Sequence, residues 1–270
     1  AGFIGSNLIV KLLSLGHTVF SLDNYATGTK TNEHDGCTYV RGSIHQIAYV
    51  FKDDKFDVIF HLAAQPLVSN SYLNPLETYS TNVMGLVNLF DISRNLLKLK
   101  VIVNITTDKC YENKEWEWGY RESEPMGGHD PYSSSKGCAE LVTSAYRRSF
   151  FSSEGTASLA SARAGNVIGG GDWAKDRLLP DLVPGFMSGG PIHIRNPQST
   201  RPWQHVLDPL HGYLLALEGM LSGLKIDSLN FGPSEESLSV REVAEIAEAN
   251  WTQTVKLDFN NDSLKEQVEA

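Results

Sequence analysis

The sequence predicts an α/β fold built on a doubly wound parallel sheet. Before residue 165, short β-rich runs alternate with stretches of helical periodicity, which is the order of successive βαβ units. A glycine-containing turn leads directly into the first of these helices. After residue 165 the regularity gives way to loops rich in glycine and proline, broken by short strands. We therefore expect a sheet domain followed by a smaller carboxyl-terminal region.

The spacing of apolar residues places the elements in order. A first helix is expected to end at Gly16, and Pro75 is expected to open another. The apolar face of the first is Leu8, Ile9, Leu12, Leu13 and Leu15; the face of the second is Tyr79, Asn82, Val83, Leu86 and Phe90. Strands are expected over residues 18–22, 58–62, 101–105, 158–162, 192–194 and 229–231, and a long helix from Tyr132 to about Phe151.

Composition excludes several classes of protein. The chain has 270 residues, of which 41% are hydrophobic, enough to bury a full core. A formal charge of −9 offers no basic face for nucleic acid, although local arginines can still hold a small anion. No apolar run approaches the roughly 18 residues that cross a bilayer, and no secretion signal is present, so the default location is the cytoplasm. Three cysteines without metal-ligand spacing are expected to be reduced thiols, and no metal site is expected.

The start of the chain matches part of a nucleotide-binding turn. Gly2 and Gly5, followed directly by a helix, fit the last two glycines of a GxxGxxG dinucleotide turn. Gly2 would let the backbone approach a pyrophosphate, and Gly5 would allow close helix packing. A plain tight turn fits these two glycines equally well. Asp23, at the end of the next strand, adds the acid expected on the adenosine ribose, and it favours NAD because a 2′-phosphate there would be repelled.

The glycine turn also suggests how the chain is organised. The first glycine of such a turn and the strand before it are absent, so we expect both ends to be incomplete and the chain alone to bind NAD poorly and unfold readily. Residues 1–165 are expected to form a Rossmann domain for NAD. Residues 166–270 are expected to form mainly a substrate-binding region, with some segments returning to the first domain.

A tyrosine and a lysine carry the strongest chemical pattern. Tyr132 and Lys136 are four residues apart on a predicted helix and therefore share a face. A neighbouring ammonium favours the phenolate, so Tyr132 can accept a hydroxyl proton while hydride leaves the same carbon. A tyrosine and a lysine at this spacing often occur together by chance, so the surrounding sequence decides whether the pair is catalytic. Thr107, Asp108 and Lys109 follow the third strand, at the sheet edge where doubly wound proteins bind ligands.

Several motifs of the chain resemble those of a known family. Thr107, Tyr132 and Lys136 look like the catalytic trio of the extended short-chain dehydrogenases/reductases. Four longer stretches, which together span roughly residues 55 to 235, are similar to the CDP-glucose 4,6-dehydratases within that family: residues 61–67, 107–116 continuing to 130–136, 165–173 and 201–206. Residues 22–28 look more like the nucleotide-sugar epimerases of the same superfamily, and Ser43 stands where the family usually has an acid near the adenine.

The resemblance implies a three-step reaction on CDP-glucose. Tyr132 would accept the C4 hydroxyl proton while Thr107 hydrogen-bonds the oxygen, Asp108 would protonate the leaving group at C6, and Lys109 would remove the C5 proton. Hydride would then return to C6. The implied NAD-binding residues are Gly2, Gly5, Asp23, Ile44, Leu62, Ala63, Ala64, Tyr132 and Lys136, and the implied ligands of the substrate diphosphate are Asn166 and Arg201. The family's tendency to dimerise implies a homodimer.

Other interpretations stay open. A nucleotide-sugar 4-epimerase would share the C4 oxidation without needing Asp108 and Lys109, and a non-catalytic NAD-binding protein would need neither Tyr132 nor Lys136. UDP or dTDP sugars remain alternative substrates. Asn82 is either a buried amide bonded to backbone or a residue that orders the active site. We expect His61, His193 and His205 to be packed or to lie at strand ends. Most of the tryptophans are expected to serve packing: Trp116, Trp118, Trp173 and Trp203.

Overall fold

A four-stranded parallel sheet lies at the centre of the protein. The computed structural model describes residues 2–116, 118–234, 237–252 and 255–259. The helices are α1 (Phe3–Ser14), α2 (Val68–Leu73), α3 (Pro75–Tyr79), α4 (Gly85–Ser93), α5 (Pro131–Phe150), α6 (Leu178–Ser188), α7 (Leu207–Leu221) and α8 (Val240–Ala249). The strands are β1 (Val19–Asp23), β2 (Cys37–Arg41), β3 (Val58–His61), β4 (Val101–Thr106), β5 (Ser158–Ala164), β6 (Val167–Ile168), β7 (Pro191–His193), β8 (Thr200–Arg201), β9 (Gln204–His205), β10 (Ser228–Phe231), β11 (Leu238–Ser239) and β12 (Lys256–Asp258).

The central sheet has the order β10-β5-β4-β3, and every neighbouring pair is parallel. All six residues of β4 are buried, because helices cover both faces of the sheet. Val101 and Val103 point to the face covered by α1 and α7, while Ile102 between them points to the face covered by α4 and α5. This alternation is the period of two expected of a strand, and it fixes the layered arrangement.

Strands β1 and β2 form a second parallel pair, in register from Val19 opposite Cys37 to Asp23 opposite Arg41. Among the described residues this pair forms no ladder with β3. The facing strands β1 and β3 instead line one cavity, whose residues include Phe20 and Ile59.

Residues after 165 lie in two places. Helix α7 packs on the central sheet through Leu210, Tyr213 and Leu217, and β10 extends that sheet beside β5. Helices α6 and α8, with β7 and β12, surround a separate apolar cluster that contains Leu182 and Phe186. No helix of the described chain is long and apolar enough to span a bilayer.

The expected strands before residue 165 are confirmed to within two residues at each end, and so is the long helix now seen as α5. The expectation of mainly loops after residue 165 is wrong, because α6, α7 and α8 lie there. Helix α6 contains Pro184, a residue that usually interrupts a helix, and its buried Leu182 and Phe186 hold it in place. Helix α8 begins with a capping box between Ser239 and Glu242.

The helix that begins at Pro75 contains a π-helical turn at Ser80–Met84, between α3 and α4. A π turn holds an extra residue, so it changes which side chains share a face. Tyr79, expected on the buried face, is 36% exposed, whereas its neighbour Thr78 is buried. Asn82, Leu86 and Phe90 are buried as expected. In α1, Leu15 was also expected on the buried face, but it caps the helix end and is exposed.

Candidate active site

Three polar residues follow β4 directly, at the carboxyl end of the central sheet. Thr107 is extended (φ −156°, ψ 161°), and Asp108 opens a short 3-10 turn that includes Lys109. The Thr107 hydroxyl donates to Asp108 Oδ1 at 2.9 Å and accepts from the backbone nitrogen of Lys109 at 3.4 Å. The turn thus holds the hydroxyl and the carboxyl group side by side at one edge of the sheet.

The carboxyl group of Asp108 lies against two other parts of the chain. A Cβ atom at Gly165 would lie 2.2 Å from Asp108 Oδ2 and 2.8 Å from Pro202 Cγ. Only glycine leaves room for this contact. Segments 107–116, 165–173 and 201–206, which are far apart in the sequence, therefore meet around the side chain of Asp108.

Tyr132 and Lys136 lie on the first two turns of α5, one turn apart. Asp130 caps this helix, accepting from Ser133 N at 2.9 Å, and Pro131 occupies its first position. The Lys136 ammonium lies 6.0 Å from the centroid of the Tyr132 ring. Both side chains are buried, with 9% of Tyr132 and 8% of Lys136 exposed. The expected shared face is therefore present, in a largely desolvated setting.

Burial raises the pKa of Tyr132 to about 12, and the Arg177 guanidinium opposes this rise. The carboxylate of Asp108 raises the pKa further, whereas a hydrogen bond with Thr107 lowers it. The pKa of Lys136 is lowered to about 8, again by burial first, while the charge of Glu140 works in the opposite direction. From the sequence we expected Lys136 to favour the phenolate of Tyr132; in the structure the cation that lowers the pKa of Tyr132 is Arg177.

A buried amide network supports α5 from below. Asn82, within the π turn, donates to Ser135 Oγ at 2.9 Å and to Gln65 O at 3.1 Å, and it accepts from Gln65 N at 2.8 Å. Ser135 in turn donates to Tyr132 O at 2.7 Å. Asn82 therefore bonds to backbone and also links the loop after β3 to the turn of α5 that carries Tyr132. Both interpretations of Asn82 from the sequence describe part of this arrangement.

The amino end of α1 faces the same cavity. Gly2 is extended (φ −81°, ψ 171°), and a Cβ at Gly2 or at Gly5 would meet nothing within 4 Å. Gly5 was expected to permit close helix packing, but among the described residues none lies within 4 Å of a Cβ placed at Gly5. Asp23 lies at the end of β1, where its Oδ1 accepts from Tyr25 N at 2.6 Å. Open space beside a helix amino end, with a carboxylate at the next strand end, fits a dinucleotide.

One cavity of about 1850 Å³ joins these features. It is lined by every residue proposed from the sequence for catalysis or binding: Gly2, Gly5, Asp23, Ile44, Leu62, Ala63, Ala64, Thr107, Asp108, Lys109, Tyr132, Lys136, Asn166 and Arg201. The side chain of Ile44 is mostly in the core, where it packs so closely against Gly85 that a Cβ there would lie 2.6 Å away. The other walls include the half-buried Arg177, held by Asp172 at 2.9 Å, and Trp173 and Trp203.

The remaining polar residues have local roles. His61 is buried, and burial lowers its pKa to about 3, so its ring is neutral and packed, as expected. Trp116 stacks on Tyr120 at 5.7 Å between ring centroids, away from the cavity walls. The three cysteines are free thiols. In the described ranges no group of three or more His, Cys, Asp or Glu side chains is placed to hold a metal ion.

Sequence reasoning missed three residues of the site. Arg177 acts on Tyr132 by charge and Gln65 pairs with Asn82, but neither position has a local pattern that points to its role. Glu140 lies four residues after Lys136 on α5, so the same spacing rule that paired Tyr132 with Lys136 could have found it.

The chain matches the model of the NAD dependent epimerase/dehydratase family over residues 1–232. It is 57% identical over 188 residues to a CDP-glucose 4,6-dehydratase of Salmonella typhimurium (strain LT2), covering 67% of this chain and 52% of that protein. The chain thus spans about half the length of this relative. It is 27% identical over 247 residues to a UDP-glucose 4-epimerase of Lacticaseibacillus casei, covering 86% of this chain and 74% of that one.

Solved structures share the fold. A UDP-glucose 4-epimerase of Thermotoga maritima, determined with UDP-glucose, has a TM-score of 0.84 at 21% identity and covers 97% of this chain and 84% of its own. A dTDP-glucose 4,6-dehydratase of Streptomyces venezuelae, determined with NAD, has a TM-score of 0.81 at 24% identity and covers 96% of this chain and 82% of its own. At these identities the likeness concerns the doubly wound architecture, which is the fold class predicted from the sequence.

Proposed function

The chain belongs to the NAD dependent epimerase/dehydratase family, and from this premise we propose that it is a nucleotide-sugar 4,6-dehydratase that acts on CDP-glucose with NAD as cofactor. The observation that carries the proposal is the position of Asp108 and Lys109. They follow Thr107 directly and line the cavity that also contains Tyr132, as an elimination at neighbouring carbons requires. The similarity to a CDP-glucose 4,6-dehydratase supports the choice of substrate.

In the first step Tyr132 accepts the proton of the C4 hydroxyl, and the Thr107 hydroxyl hydrogen-bonds the same oxygen. Bound NAD supplies the chemistry of hydride removal from C4 and of its return to C6. The high pKa of Tyr132 opposes its action as a base. Lys136 and Arg177 are the two cations that favour its ionised form, and both line the cavity.

In the second step water is eliminated across C5 and C6. The C4 ketone acidifies the C5 proton, which Lys109 removes, and Asp108 protonates the leaving hydroxyl at C6. When hydride reaches C6, Lys109 gives a proton back to C5. Asp108 is suited to this role because its position is fixed from two sides, by the Thr107 hydroxyl and by the close contact with Gly165. An acid and a base on consecutive residues can serve the ring carbon C5 and the exocyclic carbon C6 bonded to it.

Binding is assigned to the remaining walls of the cavity. We assign the NAD pyrophosphate to Gly2 and Gly5, its adenosine ribose to Asp23, and its other contacts to Ile44 and to residues 62–64. Asn166 and Arg201 are assigned to the diphosphate of the sugar nucleotide, since a planar guanidinium suits phosphate oxygens. We assign residues 1–165 to the NAD domain and most of residues 166–270 to the substrate region, with α7 and β10 returning to the central sheet.

We further propose that the protein acts as a homodimer in the cytoplasm. Helices α2, α3 and α5 pack against one another and expose Leu73, Leu76 and Leu141, with Met84 of the π turn beside them. Such a patch of large apolar side chains suits the same surface of a second copy. Free thiols and a nucleotide cofactor fit a reducing, NAD-containing compartment.

Incubation with NAD and CDP-glucose deuterated at C4 tests the proposal. A dehydratase transfers the label to C6 of a 4-keto-6-deoxy product, which NMR identifies. A 4-epimerase is the second candidate because relatives of that activity are similar over most of the chain. It would leave the label on C4 with inverted configuration. Label on C4, or no turnover of CDP-glucose while UDP-glucose is converted, would overturn the proposal.

A further inference from the structure

The first turn of α6 forms a part of the cavity wall that the proposed reaction has not yet used. Arg177, the residue that caps this helix, acts by its charge on Tyr132. Asp181 lies one turn later, where its backbone nitrogen donates to Arg177 O at 3.0 Å, and it also lines the cavity. The side chains whose charges act on Asp181 are Asp176 and Arg195. Helix α6 therefore starts near the catalytic residues and leads to a second part of the same wall.

Strand β7 and the residues after it complete this part of the wall. Ile192 and Ile194 are buried in the apolar cluster that α6 and α8 surround. The backbone nitrogen of Ile194 donates to Asp258 O at 2.8 Å, so the extended pairing continues past the end of β7. Because side chains alternate along a strand, His193 and Arg195 point to the opposite side, where they are exposed and line the cavity.

This wall carries three carboxylates, and two of them already have cationic partners. Asp172 lies 2.9 Å from Arg177, and Asp176 lies 3.4 Å from Arg195. Asp181 forms no ion pair in the part of the chain that the structure describes. Partial desolvation raises its pKa, the charge of Asp176 raises it further, and Arg195 opposes the rise. The Asp181 carboxylate is therefore the one of the three that is placed to accept a hydrogen bond from a bound molecule.

The assigned contacts of the substrate indicate which part of it reaches this acid. We assign the glucose to the neighbourhood of Tyr132 and the diphosphate to the wall that includes Arg201. The nucleobase is the end of the substrate farthest from the glucose. A carboxylate would repel the diphosphate but can face an uncharged base, which places the base beside Asp181. The half-buried Leu178 and Leu179 line the same wall and offer an apolar surface to its ring.

The three pyrimidine bases differ in the group at C4. Cytosine has an amino group there, which donates hydrogen bonds, whereas uracil and thymine have a carbonyl oxygen, which accepts them. An ionised carboxyl group accepts and cannot donate. We propose that Asp181 selects cytosine by accepting a hydrogen bond from its 4-amino group and rejects uracil and thymine through their O4. The position of the base rests on the proposed function, whereas the preference between nucleotides can be measured without turnover.

The direct test compares binding of CDP and UDP by calorimetry at about pH 8 with NAD present. We expect the wild type to bind CDP about 10- to 100-fold more tightly than UDP, as a hydrogen bond to a charged acceptor allows. In Asp181→Asn the amide can donate to O4 of uracil, so the preference for CDP should fall about 10-fold or more. The ratio of the two affinities cancels any effect of the lost charge on binding of the diphosphate.

Asp208→Asn is the matched control. It removes the same charge from the first turn of another helix, α7, at an exposed position away from the cavity walls, and should keep the wild-type preference. A preference that is unchanged in Asp181→Asn, or equally reduced in Asp208→Asn, overturns the inference. A wild type that binds UDP as tightly as CDP, or binds neither, also overturns it.

The second readout is turnover of CDP-glucose and UDP-glucose. In Asp181→Asn the ratio of the two kcat/KM values should fall by the same factor as the ratio of affinities, while kcat for CDP-glucose is kept, because Asp181 lies away from the reacting atoms. A loss of kcat with an unchanged ratio would overturn the assignment to base selection. If the wild type binds CDP but does not dehydrate CDP-glucose, the proposed function fails, and the binding ratio still decides the inference about Asp181.

Discussion

The carboxyl group of Asp108 and the α-carbon of Gly165 are in such close contact that a methyl group at position 165 would lie 2.2 Å from Asp108 Oδ2. The two residues belong to strand ends that are separated by more than 50 positions in the chain. Any side chain at position 165 therefore moves the proposed acid from its place.

Gly165→Ala is expected to lower kcat for dehydration by about 10- to 100-fold, because displacement of a reacting group by about 1 Å costs that much. C4 oxidation does not use Asp108, so the 4-keto sugar should accumulate. Quenched-flow mass spectrometry measures both products. Gly170→Ala is the matched control, since a Cβ there meets nothing within 4 Å. Equal losses in the two variants would contradict the assignment of Asp108.

Tyr132→Phe is expected to keep nucleotide binding and to lose about 10²- to 10⁴-fold in turnover, since only the proton acceptor is removed. Calorimetry measures binding and NMR measures turnover. Tyr72→Phe removes a hydroxyl from another tyrosine on the cavity wall and should behave as wild type. Near-normal turnover by Tyr132→Phe would contradict the assignment of Tyr132 as the acceptor of the C4 hydroxyl proton.

Lys109→Ala is expected to form the 4-keto sugar but to eliminate water slowly. In heavy water, incorporation of deuterium at C5 should fall in parallel, because the C5 base is missing. Lys175→Ala, an exposed lysine in the loop before α6, serves as control. If the 4-keto sugar fails to form, Lys109 belongs to binding or to the first step instead.

Arg177→Met is expected to raise the pKa of Tyr132 further above its value of about 12. A base acts only when deprotonated, so turnover near neutral pH falls and its rise with pH shifts to more alkaline values. The pH profile of kcat measures the shift. Arg148→Met, on the exposed side of α5, should leave the profile in place. A lower kcat with an unshifted profile would place Arg177 in binding alone.

Asn82→Ala is expected to leave the backbone of Gln65 and the Ser135 hydroxyl without their partner. Each buried group left unpaired costs about 1 to 3 kcal/mol in the free energy of unfolding. Urea denaturation measures the loss, and Asn70→Ala, at a half-buried position on α2 where the side-chain oxygen accepts from Asn74 Nδ2 in an exposed contact, should cost far less. Equal stability of the two variants would show that the network under α5 does not hold the fold together.

The parts predicted from the sequence were those set by local periodicity. Buried β4 and the shared face of Tyr132 and Lys136 follow from repeats of 2 and 3.6 residues. Two of the residues missed act across the chain: Arg177 reaches Tyr132 from 45 positions away, and Gln65 pairs with Asn82 from the loop after β3. Helix α6 was missed for a different reason, since packing of Leu182 and Phe186 overrides the prolines that argue against a helix.

The π turn at Ser80–Met84 makes this helix tolerant of one particular change in length, the loss of a single residue within the turn. Adding or removing one residue in a regular α-helix rotates every later side chain by about 100° around the helix axis. Deleting one residue of the turn other than Asn82 would restore a regular α-helix and leave Leu86 and Phe90 in the core, because the wider turn already accommodates that residue without rotating the helix that follows. Chains that keep this core but have a regular α-helix here are therefore expected to be one residue shorter between Pro75 and Ser93.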